Sequence, residues 1–145
     1  MAIYRHVYLS FWKDDKIMER FSVEEKLLFI FFLTNGNTTQ IGVYKILMKE
    51  IAFFTGISVS DVAMLMDKFE NEYQMIKYNK NTHEIAIVHW AKYNMNKLGG
   101  KPIIDCISSE LKRVDDVSLL KVILTDITRE EIRICLLYTS PSPRD

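Results

Sequence analysis

The sequence predicts an α+β fold, mainly α, on three observations. A short β-branched run, Ile41–Ile46, stands first. Two segments with helical apolar spacing follow, joined at Gly56. Two strand-like runs then flank a polar turn, Met75–Tyr78 and Glu84–Trp90. Strand, helix, turn, helix and hairpin in that order predict a winged helix-turn-helix over Thr38–Trp90. A short N-terminal extension precedes it and two to three trailing helices follow.

Each element has its own local reason. Ile3–Leu9 reads as extended and Asp14–Arg20 as a short helix. Ser22 with Glu25 three residues on makes a capping box, opening a helix to about Thr34. That helix is apolar nearly all round, which predicts a central place in the core. Asn35-Gly36-Asn37 stops it. In Ile41–Ile46, short enough for an edge strand, Val43 and Ile46 face partly opposite to Tyr44 and Lys45. The next helix puts Leu47, Ile51 and Phe54 on one side, and Gly56 suits a left-handed ending. Ser58 or Ser60 caps the helix after it, with Asp61 in the first turn where the helix dipole favours an acid. Its stripe of Val62, Leu65, Met66, Phe69 and Tyr73 predicts a buried face, ordinary core rather than a cofactor surface. The turn Asn79–His83 is polar, and its asparagines tolerate left-handed backbone.

Residues 1–95 are thus expected to form the winged-helix domain. Gly99, Gly100 and Pro102 predict a linker over 96–102. A helical extension is expected over 103–134. One helix, Ile103–Val114, carries Ile103, Ile107, Leu111 and Val114 on one face; a second, Ser118–Ile127, carries Leu119, Val122, Ile123 and Ile127. Thr128–Glu131 repeats the capping-box pattern. The final segment, Cys135–Asp145, differs in composition and matches the in-frame translation of a transposon-end adapter used in sequencing libraries. Residues 135–145 are therefore read as a scar, and the extension as truncated.

Composition sets limits. Of 145 residues, 48% are apolar, enough for a packed core and too many for a disordered chain. The longest apolar run, Leu27–Leu33, is a buried helix rather than a membrane span. Arg5, Lys13, Asp14 and Asp15 interrupt what would be the core of a signal peptide, so a cytoplasmic protein without a membrane partner is expected. Cys106 and Cys135 have no metal or redox spacing. Cys106, between Ile103 and Ile107, is expected to be buried and inert. His6, His83 and His89 are scattered, and no HExxH, GxSxG or P-loop pattern occurs. Asp115-Asp116 sits at a helix start, where capping accounts for it. A non-enzyme without catalytic residues, metal or cofactor is the expectation.

Charge is balanced globally, 19 basic against 19 acidic residues. Affinity for nucleic acid comes largely from neutralising phosphates, so local charge has to supply it. Ser58–Glu72, the helix that would enter a major groove, holds Asp61, Asp67, Glu70 and Glu72 against Lys68, a net charge of −3. That acidic face suits a protein partner, through Asp61, Asp67 and Glu70. Residues 75–101 hold five lysines against Glu84, a net +4, with Asn and aromatic residues interleaved. Lys77, Lys80 and His83 on the hairpin, with Lys92 and Lys97 beyond, are the candidate DNA contacts. Tyr93 is a candidate for stacking on single-stranded bases. Trp90 is expected beneath the sheet.

Several stretches together resemble the N-terminal domain of phage replisome organisers, a family similar to the DnaD N-terminal domain of Gram-positive bacteria. They include Ser10–Asp14, Glu24–Phe29, Leu33–Asn35, Thr38–Tyr44, Ile51–Gly56, Phe69-Glu70 and Glu84–Asn94. They lie in the family's order and span roughly residues 3–127. The resemblance implies a winged-helix fold, origin DNA as a partner, and recruitment of the replicative helicase or its loader in a bacterial host cell. Two other readings stand beside it: a winged-helix transcriptional regulator, since fold does not dictate function, and a protein-interaction module. In the latter the acidic helix binds replisome partners while Tyr4–Leu9 and the apolar N-terminal helices make a homo-oligomer.

Overall fold

A computed structural model describes residues 3–90 and 100–124. Among them, the order is a 3-10 turn (Leu9–Lys13), a π-helical turn (Lys16–Arg20), α1 (Val23–Thr34), β1 (Val43–Lys45), α2 (Met48–Thr55), α3 (Val59–Asn71), β2 (Ile76–Asn79), β3 (Glu84–Ile87), α4 (Gly100–Leu111), a 3-10 turn (Val117–Leu119) and α5 (Leu120–Leu124). The class is α+β with helices dominant and one small antiparallel sheet in the order β1-β3-β2. β3 is central, pairing Val43 with Ala86 on one side and Ile76 with Ile87 on the other. No helix of the described residues is long and apolar enough to cross a membrane.

Two predicted helix starts hold. Ser22 Oγ accepts from Glu25 N–H, and Glu25 returns the bond to Ser22 N–H at 2.7 Å. Ser58 accepts from Asp61 N–H. Gly56 closes α2 with φ +79°, a conformation that only glycine adopts without strain. The α3 stripe of Val62, Leu65, Met66, Phe69 and Tyr73 is buried throughout. Phe69 meets Phe21, Phe29, Phe32 and Tyr73 at centroid distances of 5.3 to 6.0 Å, an aromatic centre under α1. Burial of each such side chain contributes about 1.5–3 kcal/mol. Trp90 is buried as expected, its Nε1–H donating to Gln40 O at 2.8 Å.

Elsewhere tertiary packing overrides local pattern. α1 is not enclosed all round: Leu28 and Phe32 are buried while Val23 and Leu27 face solvent. In α2 only Ile51 of the expected face is buried; Leu47 and Phe54 are exposed. β1 does not alternate, because Tyr44 turns inward and donates its hydroxyl to Phe32 O at 2.7 Å. The left-handed residue of the hairpin turn is His83, φ +60°, and not an asparagine. Asn79 instead organises the turn by accepting from Asn81 and Thr82 N–H. β3 ends at Ile87, short of Trp90, as His89 adopts φ +67°.

The expected 96–102 linker and a helix start at Ile103 need correction. Among the described residues, helix already covers Gly100, Lys101 and Pro102. α4 ends at Leu111 rather than Val114. The second trailing helix opens with a 3-10 turn, Val117–Leu119, and continues as α5 over the described residues Leu120–Leu124. Cys106 is exposed, because Ile107 and Leu111 take the inward face of α4. The Thr128 capping pattern and the segment 135–145 lie outside the described residues.

Candidate nucleic-acid interface

β2 alternates as an amphipathic strand must: Ile76 is buried, and Lys77 beside it is exposed. Tyr78 is half-buried, donating its hydroxyl to Ile46 O at 2.8 Å; burial raises its pKa. Lys80 and His83 are exposed in the turn. Among the described residues, neither Lys77 nor Lys80 lies within 4 Å of a carboxylate. The structure therefore brings Lys77, Lys80 and His83 onto one hairpin. Lys92, Tyr93 and Lys97 lie outside the described residues.

The hairpin lysines border an open groove of about 630 Å³. One wall is α3, with Asp67 and Glu70; the floor includes Met48 and Met66. The third wall is the chain after α4, with Asp116, Leu119 and Val122. Two lysines thus share the groove with three carboxylates. The acids have structural partners. Glu70 accepts the Tyr78 N–H at 2.9 Å, fastening α3 to β2. Asp67 accepts from Asn71 at 2.8 Å. Asp116 caps the following 3-10 turn through Ser118 N–H, and its pKa is lowered by the bonds from Ser118 and Asn79. Asp61, six residues before Asp67 on α3, points away from that groove; Asp61, Asp67 and Glu70 do not form one face.

Lys68, the one base on α3, is partly exposed but paired with a buried acid. Its Nζ lies 3.0 Å from Glu25, which is only 2% exposed. Burial pushes the Glu25 carboxyl up, but bonds from Ser22 N–H, Lys68 and Tyr73 outweigh it and leave the pKa lowered. With Lys68 paired to Glu25, the charge that α3 leaves without an ion-pair partner among the described residues is acidic, at Asp61, Asp67 and Glu70.

Compared with known proteins, the chain matches no family model, no curated protein and no solved structure.

Two features escaped sequence reasoning. Glu84, which counts against the hairpin's positive charge in a window sum, is 1% exposed. Its carboxylate accepts the N–H groups of Asp115 and Asp116 at 2.9 and 2.8 Å. The Asp115-Asp116 doublet was a visible signal, but nothing local said what its backbone would meet. The second feature is a polar junction around Glu110 of α4. Glu110 accepts from Gln40 and Ile41 N–H at 3.0 and 3.2 Å. Burial raises its pKa. Nearby, Arg5 donates twice to Thr38 at 2.8 Å and sits 5.9 Å from the Trp90 ring centre. Among the described residues no group of three or more His, Cys, Asp or Glu is placed to hold a metal.

Proposed function

We propose that this chain is a winged-helix DNA-binding module of a phage-type replication initiator. It binds origin DNA through the β2–β3 hairpin and helps recruit the replicative helicase or its loader, in the cytoplasm of a bacterial host and as a homo-oligomer. It performs no catalysis and uses no cofactor. The order β1, α2, α3, β2, β3, with β1 on the far edge of the hairpin, supports the winged-helix reading. One observation carries the DNA assignment: Lys77 and Lys80 are exposed on the hairpin that follows α3, without ion-pair partners among the described residues. The acidic surface of α3 disfavours insertion into a major groove, so the hairpin makes the first contact with phosphate.

The test is a set of lysine-to-alanine changes at Lys77, Lys80, Lys92 and Lys97. Each lost phosphate contact lowers the slope of log affinity against log salt by about 0.9 on duplex DNA. A quadruple variant with the wild-type slope removes the assignment. Weak dependence on DNA sequence, with capture of a helicase loader, favours the initiator; a defined palindromic operator favours a transcriptional regulator.

A protein-interaction reading is favoured by a different observation. Phe53 and Phe54 on α2 are 81% and 68% exposed, an aromatic pair at 5.2 Å on the surface. Single exposed apolar residues are ordinary, whereas adjacent phenylalanines suit an interface. Phe53→Ser with Phe54→Ser should leave stability nearly unchanged and abolish self-association in sedimentation. Self-association that persists in this variant argues against that surface.

A further inference from the structure

We propose that the segment Asp115–Ser118 is a built-in strap that competes with nucleic acid for the hairpin groove. The proposal rests on the DNA reading above and deepens it, by naming what regulates that surface.

The strap is fastened to the hairpin end of the sheet by polar bonds on three strands. On β3, the buried Glu84 carboxylate holds the Asp115 and Asp116 N–H groups. On β2, Asn79 Nδ2 donates to Asp116 Oδ2 at 2.8 Å. On β1, Lys45 Nζ meets Asp115 Oδ2 at 2.6 Å. Beyond these contacts Leu119, Leu120 and Ile123 are buried.

This placement has two electrostatic consequences. Asp116 forms part of the groove wall facing Lys77 and Lys80, so with Asp67 and Glu70 the groove carries a net −1. Asp115 occupies Lys45, a base at the same end of the sheet. A phosphate approaching β2 therefore meets a third carboxylate and one fewer available ammonium. With the strap lifted, Asp115 and Asp116 leave, and Lys45, Lys77 and Lys80 face only Asp67, Glu70 and Glu84, so the local net charge rises from −2 to 0. Asp115–Ser118 is held by polar bonds, those to Asn79 and Lys45 at partly exposed groups of the kind that open before a core does, while Leu119, Leu120 and Ile123 stay in the core and keep its far end in place. Nucleic acid shifts the strap only by binding the open state more tightly, which the charge difference provides.

The test uses the full chain and a short mixed-sequence duplex at low salt. Affinity is read by fluorescence anisotropy, and hydrogen exchange is followed at the amides of Asp115, Asp116, Ile85 and Ile87. Removing one carboxylate charge near a phosphate in high dielectric is worth about threefold, so Asp115→Asn with Asp116→Asn should bind about tenfold tighter than wild type. Glu84→Gln, which weakens the anchor and leaves the groove charges in place, should shift affinity in the same direction and covers the case in which the double variant misfolds. Saturating duplex should speed exchange at Asp115 and Asp116 while Ile85 and Ile87 stay protected. Equal affinity of wild type and both variants, or duplex binding with Asp115 and Asp116 still protected, overturns the strap and leaves the DNA reading standing. Absence of binding by wild type and variants alike overturns both.

Discussion

Trp90 packs against the bare α-carbon of Gly42: a methyl group at Gly42 would lie 2.3 Å from Trp90 Cγ. Gly42 also has φ +75°, where L-residues are strained. Two penalties coincide, left-handed backbone and overpacking against an indole that Gln40 O holds in place. Gly42→Ala should lower stability by about 2–4 kcal/mol, read as a drop in the urea midpoint with an unchanged slope. A midpoint equal to wild type would mean that Trp90 is not fixed there.

The Glu25 carboxylate joins the start of α1 to the end of α3. It accepts from Ser22 N–H, Lys68 and the Tyr73 hydroxyl. Its pKa is lowered on folding, so its contribution is complete above the ordinary glutamate value. That contribution is lost as pH falls through the lower folded-state value. Glu25→Gln should cost about 1–2 kcal/mol at neutral pH, discounted because Lys68 is partly in water. Stability of the variant should also depend less on pH on the acid side. Parallel acid limbs for the two proteins would contradict the pairing.

Removing the Glu84 carboxylate leaves two backbone N–H groups without their acceptor. Glu84→Ala should cost about 2 kcal/mol, since water can reach the exposed Asp115. The loss should be local. Hydrogen exchange should quicken over α5 and the turn before it, while α3 and the strands keep their protection. Uniform acceleration across the chain would show that Glu84 supports the whole fold instead.

Exposure of Cys106 does not make it a reactive thiol. Partial desolvation of its sulfur, the charge of Glu110 and a 3.8 Å contact to that carboxylate all raise its pKa. In a Cys135→Ser chain, iodoacetamide at pH 8 should therefore label Cys106 more slowly than a free thiol. Glu110→Gln removes the charge and should speed the reaction. A rate unaffected by that change would separate Cys106 from Glu110.

What the sequence by itself determined were the features carried by neighbours along the chain. The Ser22–Glu25 capping box, the Ser58 cap, the Gly56 stop, the α3 stripe and the two hairpin strands each depend on residues within about one to three turns of one another. Local sterics and periodicity settle these before any packing occurs. The placing of Lys77, Lys80 and His83 on one hairpin was legible for the same reason. Only the tertiary structure decided which apolar residues were enclosed and which charges were left for a partner. α2 reads as amphipathic, yet Ile51 takes its buried side while Phe53 and Phe54 stay mostly in water, Phe54 resting against Phe31 of α1. Lys68 belongs to Glu25, 43 positions earlier, and Glu84 to backbone 31 and 32 positions later. A window of net charge cannot register such partners, because Coulomb and hydrogen-bond energies follow distance in space and not separation along the chain.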